Sequence, residues 1–98
     1  MAKYKLTHAA LNDLSAIWEY TVDMWSESQA DTYYKMLVMS FDKITIMPSV
    51  YGHRYEEVDD GLYGYKAGRH IIFYRILSDN DILIVRILHE RMDVGNHF

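Results

Sequence analysis

Two runs of four consecutive apolar residues, Ile71-Ile72-Phe73-Tyr74 and Ile82-Leu83-Ile84-Val85, flank the polar stretch Ser78-Asp79-Asn80-Asp81. This spacing predicts a β-hairpin, with strands over Arg69–Leu77 and Ile82–Leu88 and its turn around Asp79-Asn80. A strand with one wet face alternates apolar and polar residues, whereas a continuous run asks for cover on both faces. An earlier strand, Leu62–Ala67, follows the turn signal Asp60-Gly61. The hairpin therefore belongs to a small antiparallel sheet that other elements must cover.

Before Pro48 the hydrophobic period is helical. Leu11, Leu14, Trp18, Thr21, Val22 and Trp25 recur at three- and four-residue spacing, as do Ala30, Tyr33, Tyr34, Leu37, Val38, Phe41 and Ile44. Helices are expected over 8–25 and 27–47. Thr7 is placed to cap the first, and Ser26 with Gln29 forms a capping box for the second. The short connection around Trp25-Ser26 makes them an antiparallel hairpin. Lys3–Thr7 reads as a short first strand, 49–61 as an acidic loop and 89–98 as a polar tail.

The fold class is α+β: an N-terminal helical hairpin packed on a small antiparallel β-sheet, one domain over 1–98. Its core should include Leu14, Trp18, Leu37, Phe41, Phe73, Ile84 and Val85. The helices cover one sheet face. The other falls to a terminal segment, another copy or a different protein, and a partner is the favoured cover.

Composition narrows the chemistry. There is no cysteine, so a disulfide framework, a thiolate zinc site and a cysteine nucleophile are excluded. The net charge of −4 opposes a protein whose main task is to grip a polyanion, because phosphate neutralisation supplies most of that affinity. No signal-peptide-length apolar run opens the sequence, and no stretch reaches the roughly 20 apolar residues that span a bilayer. A cytoplasmic protein without membrane contact is expected. The histidines, His8, His53, His70, His89 and His97, lack metal-site spacing, and Gly61, Gly64 and Gly68 lack Walker spacing, so no metal or cofactor is expected. Nine tyrosines suit a protein interface better than base stacking, since no basic groove accompanies them. Lys66, Arg69, Arg75, Arg86 and Arg91, on and beyond the strands, suit an acidic partner.

The short strand, the helical hairpin, the Pro48-to-Gly52 loop and the three-stranded end together resemble the ParE/RelE toxin superfamily. The most specific stretch is Ile87-Leu88-His89-Glu90-Arg91-Met92-Asp93, which resembles the Leu-His-x-Arg-x-Asp closing motif of the ParE branch. Asp13-Leu14 and the central strand Gly68 to Ile76 agree with it. The resemblance implies the toxin of a type II toxin–antitoxin pair. ParE-like members poison DNA gyrase by protein contact, and RelE-like members cleave mRNA on the ribosome. The nuclease branch places an arginine three residues before the central-strand tyrosine, where this sequence has Ile71, and a basic C-terminus ending in a catalytic aromatic, where this one reads Asp93-Val94-Gly95-Asn96-His97-Phe98. An isoleucine offers no donor or charge to a phosphorane, a loss of several kcal/mol of transition-state stabilisation.

The expectation is thus a non-enzymatic gyrase inhibitor neutralised by a ParD-like antitoxin, with a RelE-like mRNA endonuclease as the alternative. His89, Glu90, Arg91 and Asp93 are the candidate target contacts. Tyr63, Tyr65, Arg69, Tyr74 and Arg75 are the candidate antitoxin contacts.

Overall fold

The computed structural model describes residues 3–98. The chain runs β1 (Tyr4–Leu6), α1 (His8–Met24), α2 (Glu27–Ile46), a one-turn α3 (Pro48–Tyr51), β2 (His53–Arg54), β3 (Tyr63–Ala67), β4 (His70–Ile76) and β5 (Ile82–His89), then a 3-10 turn at Val94–His97. The five strands form one sheet in the order β1-β5-β4-β3-β2.

Both expected helix caps are present. Thr7 Oγ1 accepts the Ala10 N–H at 3.0 Å, and Ser26 Oγ accepts the Gln29 N–H at 3.1 Å. Pro48 opens α3, a first-turn position where its missing N–H costs no helical hydrogen bond. The turn between β4 and β5 lies where the sequence puts it. Asn80 takes φ 68°, and Asp79 Oδ1 accepts the Asp81 N–H at 3.0 Å.

The expected fold class needs two corrections. A strand, not the helical hairpin, comes first. The sheet is also mixed rather than wholly antiparallel: β1 runs parallel to β5, pairing Tyr4 with Ile82 and Leu6 with Ile84. The connection that a parallel pairing requires begins with the helical hairpin and continues through α3, β2, β3 and β4. The 49–61 loop, moreover, contains α3 and β2.

Alternation sorts the hairpin into two clusters. Ile72, Tyr74, Ile82, Ile84 and Ile87 pack with Ala10, Leu14, Leu37, Phe41 and Ile44 beneath the helices. Phe73, Leu62 and Leu88 form a second cluster on the opposite face, joined by Tyr55, Val58, Ile71, Val85 and Val94. The second face is thus covered at this cluster by the chain's own 55–62 loop and tail, not by a partner. Phe98 closes edge-on against Phe73 with ring centroids 5.3 Å apart. Arg75 fastens the loop through the Asp59 carboxylate and the Asp60 carbonyl, the latter at 2.6 Å.

Two expected core residues are placed differently. Val85 sits at the edge of the second cluster. Trp18 is only partly buried, and its Nε1–H points to Asp31 Oδ1 at 3.3 Å. The buried line of α1 is Ala10, Leu14 and Ile17, so the row through Leu11 and Trp18 lies one residue, about 100°, off the core. Tyr34 is displaced in the same way on α2 and is 43% exposed.

Candidate functional site

Three features of β5 and its surroundings determine what the surface offers. The first is a bulge. Phe73 pairs with Arg86 and Tyr74 with Ile84, leaving Val85 unmatched. Helix α1 supplies the partners that the interrupted ladder lacks. Thr7 Oγ1 donates to the Val85 carbonyl at 2.8 Å, and Asp13 Oδ2 accepts the Ile87 N–H at 2.9 Å. Arg86 closes on the same carboxylate with Nε at 2.8 Å from Oδ2 and Nη2 at 2.9 Å from Oδ1. This two-point pair raises the Arg86 pKa further and fixes the guanidinium against the helix.

The second is a cavity of about 340 Å³ between α1 and the end of β5, with Ile17, Tyr20, Ile87 and Met92 as apolar walls and His70 and His89 as polar groups. The imidazoles meet edge-on, 5.3 Å between centroids. His89 Nδ1 accepts the Arg91 N–H at 3.1 Å, which assigns the proton of the neutral ring to Nε2. His70 Nδ1 lies 2.7 Å from the Tyr33 hydroxyl, which itself accepts the Arg69 N–H at 2.9 Å. The same hydroxyl lies 3.5 Å from the Ala67 carbonyl, so Tyr33 ties His70 to the β3–β4 turn. Burial, with the neighbouring His89, lowers the His70 pKa to about 4, so the ring is neutral at pH 7.

The third is a groove of about 720 Å³ between α2 and β3. Lys35, Lys43 and Lys66 ring it, with Met36, Met39 and Tyr65 as its apolar surface. Lys43 Nζ lies 5.0 Å from the Tyr51 ring centre and 5.5 Å from that of Tyr65, and its pKa is raised chiefly by the Tyr65 hydroxyl. β2 pairs with β3 only at Tyr63 and Gly64, so β3 presents an unpaired edge at Tyr65, Lys66 and Ala67 beside this groove.

The residues proposed from sequence divide accordingly. His89 lines the cavity. Glu90 pairs with Lys66 at 3.3 Å, which holds its carboxyl below the usual range. Arg91 is exposed and carries no ion pair among the described residues. Asp93 Oδ2 accepts from Asn96 Nδ2 at 2.9 Å and shapes the tail. The four share one end of the sheet.

The five tyrosine and arginine candidates do not share a surface. Tyr65 and exposed Arg69 lie near the lysine groove and the β3–β4 turn. Tyr74 is fully buried, donates to the Pro48 carbonyl and stacks on buried Tyr63 at 5.5 Å. Burial, reinforced by Tyr63, pushes the Tyr74 hydroxyl up to about 12. Arg75 holds the 59–60 loop. In this fold Tyr63 and Tyr74 pack in the core beneath the helices, and Arg75, on the opposite face of β4, attaches the loop. The groove lysines of α2 were absent from the expected set. Their i, i+8 spacing, which puts both on one helix side, is the signal that could have identified them.

Similarity to known proteins agrees with this architecture. The family model described as the ParE toxin of the type II toxin–antitoxin system, parDE, matches residues 4–94. Toxin ParE1 of Mycobacterium tuberculosis (strain H37Rv) is 37% identical over 96 residues, covering 98% of this chain and 97% of the relative. Toxin ParE1 of Caulobacter vibrioides is 31% identical over 97 residues, covering 99% and 98%. Among solved structures, a chain of the chromosomal ParDE system from P. aeruginosa superposes with TM-score 0.79 at 22% identity, over 91% of this chain and 96% of that one. A chain of the M. tuberculosis RelBE2 toxin–antitoxin complex does so with TM-score 0.67 at 18% identity, over 91% and 98%. At those identities the two structures establish the fold. With a toxin family model spanning nearly every residue and two toxins matched along their whole length, the chain belongs to the ParE toxin family of type II toxin–antitoxin systems.

Proposed function

We propose that this ParE-family toxin inhibits DNA gyrase by protein–protein contact, without chemistry of its own, and that a ParD-like antitoxin neutralises it. The observation that carries the non-enzymatic reading is the engagement of the strand arginines. Arg75 is bound to Asp59 and the Asp60 carbonyl, and Arg86 is bound to Asp13. A ribonuclease acting through these strands needs cations free to offset charge on a phosphorane. Here carboxylates already hold both. Ile71, the position of the nuclease-branch arginine, packs instead against the Leu62, Phe73 and Leu88 cluster.

The target contact is the sheet end that carries His89, Glu90, Arg91 and Asp93, next to the apolar cavity walled by Tyr20 and Met92. Such a pocket accepts an apolar anchor from a partner, and exposed Arg91 follows in sequence between its lining residues His89 and Met92. The antitoxin contact is the free β3 edge and its lysine groove. An extended acidic segment there would gain backbone hydrogen bonds along Tyr65–Ala67 and meet three ammonium groups. Tyr65 and Arg69 are the members of the expected antitoxin set that this site retains.

The test adds the purified toxin to gyrase with supercoiled DNA, and separately to translating ribosomes. Accumulation of cleaved DNA–gyrase complexes with mRNA left intact supports the reading. Codon-positioned mRNA cuts with gyrase unaffected overturn it in favour of a RelE-like endonuclease.

A further inference from the structure

On the α1 side of α2, away from the lysine groove, Leu14, Ser15, Trp18, Glu19, Asp31 and Tyr34 line a second open groove of about 430 Å³. Its composition is unusual for a helix–helix seam. Trp18 and Tyr34 leave ring surface in solvent, and exposed Glu19 and Asp31 line the groove with them. The charge around it is one-sided. α1 carries Asp13, Glu19 and Asp23 with no lysine or arginine, and Asp13 is taken up by Arg86. The two lysines of α2, Lys35 and Lys43, both lie on the β3 side of that helix. Among the described residues no cation pairs with Glu19, Asp23 or Asp31. Among the described residues Asp31 accepts only from the Trp18 indole at 3.3 Å, through Oδ1, which leaves Oδ2 open.

We infer that this groove docks a basic amphipathic segment of a protein partner, with an arginine or lysine side chain seated between the Trp18 and Tyr34 rings and the Glu19 and Asp31 carboxylates. The rings offer faces that attract a cation, and the carboxylates offer oxygens to its N–H groups. Leu14 at the groove floor receives the aliphatic stem or a neighbouring apolar side chain. An acidic segment suited to the β3 edge is repelled here, so the molecule presents two docking surfaces of opposite charge on the two sides of α2. This second surface is independent of the gyrase and antitoxin reading, because it shares none of the residues on which that reading rests.

The groove contains its own reporter. The chain has two tryptophans, and replacing exposed Trp25 by Phe leaves Trp18 as the only one. This full-length variant is titrated with a short blocked peptide of arginine and leucine, and with its counterpart bearing glutamate for every arginine. The expected result is a saturable change in Trp18 fluorescence with the arginine peptide alone. Adding Glu19→Gln and Asp31→Asn should weaken that response about tenfold, a loss that salt should mimic. Both carboxylates are exposed and the amide at 31 can still accept from the indole, so circular dichroism and melting should match the parent. A Trp18 signal absent with the arginine peptide, equal with the glutamate peptide, or undiminished in the Gln/Asn variant overturns the inference.

Discussion

Asp13 and Arg86 stand 73 residues apart in sequence, yet they meet in a two-point ion pair while the same carboxylate accepts the Ile87 N–H. One side chain of α1 thus neutralises a strand cation and repairs the hydrogen-bond gap of the β5 bulge. The arrangement ties the helical hairpin to the strand that leads into the candidate target surface.

Removing either partner leaves the other partly buried and unpaired, with side-chain exposures of 15% for Asp13 and 25% for Arg86. Asp13→Ala should cost about 2–3 kcal/mol, because three hydrogen bonds disappear together. Arg86→Ala should cost less, since the Asp13 carboxylate keeps the Ile87 N–H. The double variant should fall short of the sum by about 1–2 kcal/mol. Urea denaturation of the four proteins measures this, and strict additivity would show that the pair contributes nothing.

Gly52 and Tyr74 are linked by space rather than by charge. A Cβ at position 52 would overlap the Tyr74 hydroxyl and lie 2.8 Å from Cζ, while that hydroxyl donates to the Pro48 carbonyl. Gly52→Ala should therefore destabilise by about 1–3 kcal/mol through overpacking. Tyr74→Phe should cost about 1–2 kcal/mol through the lost hydrogen bond. Combined, they should cost less than the sum, because the phenylalanine vacates part of the contested space. Thermal melts of the two single variants and the double variant decide it.

Elements governed by neighbours in sequence were legible. The caps at Thr7 and Ser26, both long helices, the β4–β5 turn and the three antiparallel strands all follow from local pattern, and the family follows from the Leu88 to Asp93 motif. Long-range geometry was not legible. Nothing near Asp13 announces Arg86, and a three-residue strand such as β1 does not declare whether it pairs parallel. On α1 the row through Leu11 and Trp18 was read one residue off, and Tyr34 was added to an otherwise correct α2 face, because Trp18 and Tyr34 are large and apolar, while Ala10 and Ile17 fit better against the sheet. Cover for the second sheet face was sought in a partner because 55–62 and the tail lack periodicity. Tyr55, Val58 and Val94 nonetheless supply it singly.

His70 predicts a specific pH dependence. The unfolded chain takes up its proton near the ordinary imidazole value of 6.5, whereas the folded ring holds out to about 4 because burial, and then His89, oppose its charge. The stability tied to the neutral ring is full above about pH 6.5 and is lost as pH falls through that window. The full span corresponds to about 3 kcal/mol, and solvent that reaches the partly buried ring reduces it to about 2. His70→Gln, whose amide can still hydrogen-bond the Tyr33 hydroxyl in either direction, should lack this component. The stability difference between parent and variant should shrink between pH 7 and pH 4.5 in urea melts. A constant difference would mean that the imidazole titrates alike in both states.

The lysine groove predicts how an antitoxin associates. Lys35 and Lys43 lie on the rim of an exposed groove, where charge acts mainly on the encounter rate and salt screens it. Lys66 is partly committed to Glu90, so the two α2 lysines carry most of the uncompensated charge. Replacing both by glutamate should slow association with an acidic ParD-like segment about tenfold at low salt, with a smaller change in dissociation. The gap should close as salt rises through the range where the Debye length falls below about 10 Å. Inhibition of gyrase by the free variant should be unchanged, because His89 and Arg91 lie at the sheet end and not in this groove. Stopped-flow association across a salt series separates the outcomes. A tenfold slowing that persists at high salt would point to lost packing around Met36 and Met39. Unchanged rates would place the antitoxin elsewhere on the molecule.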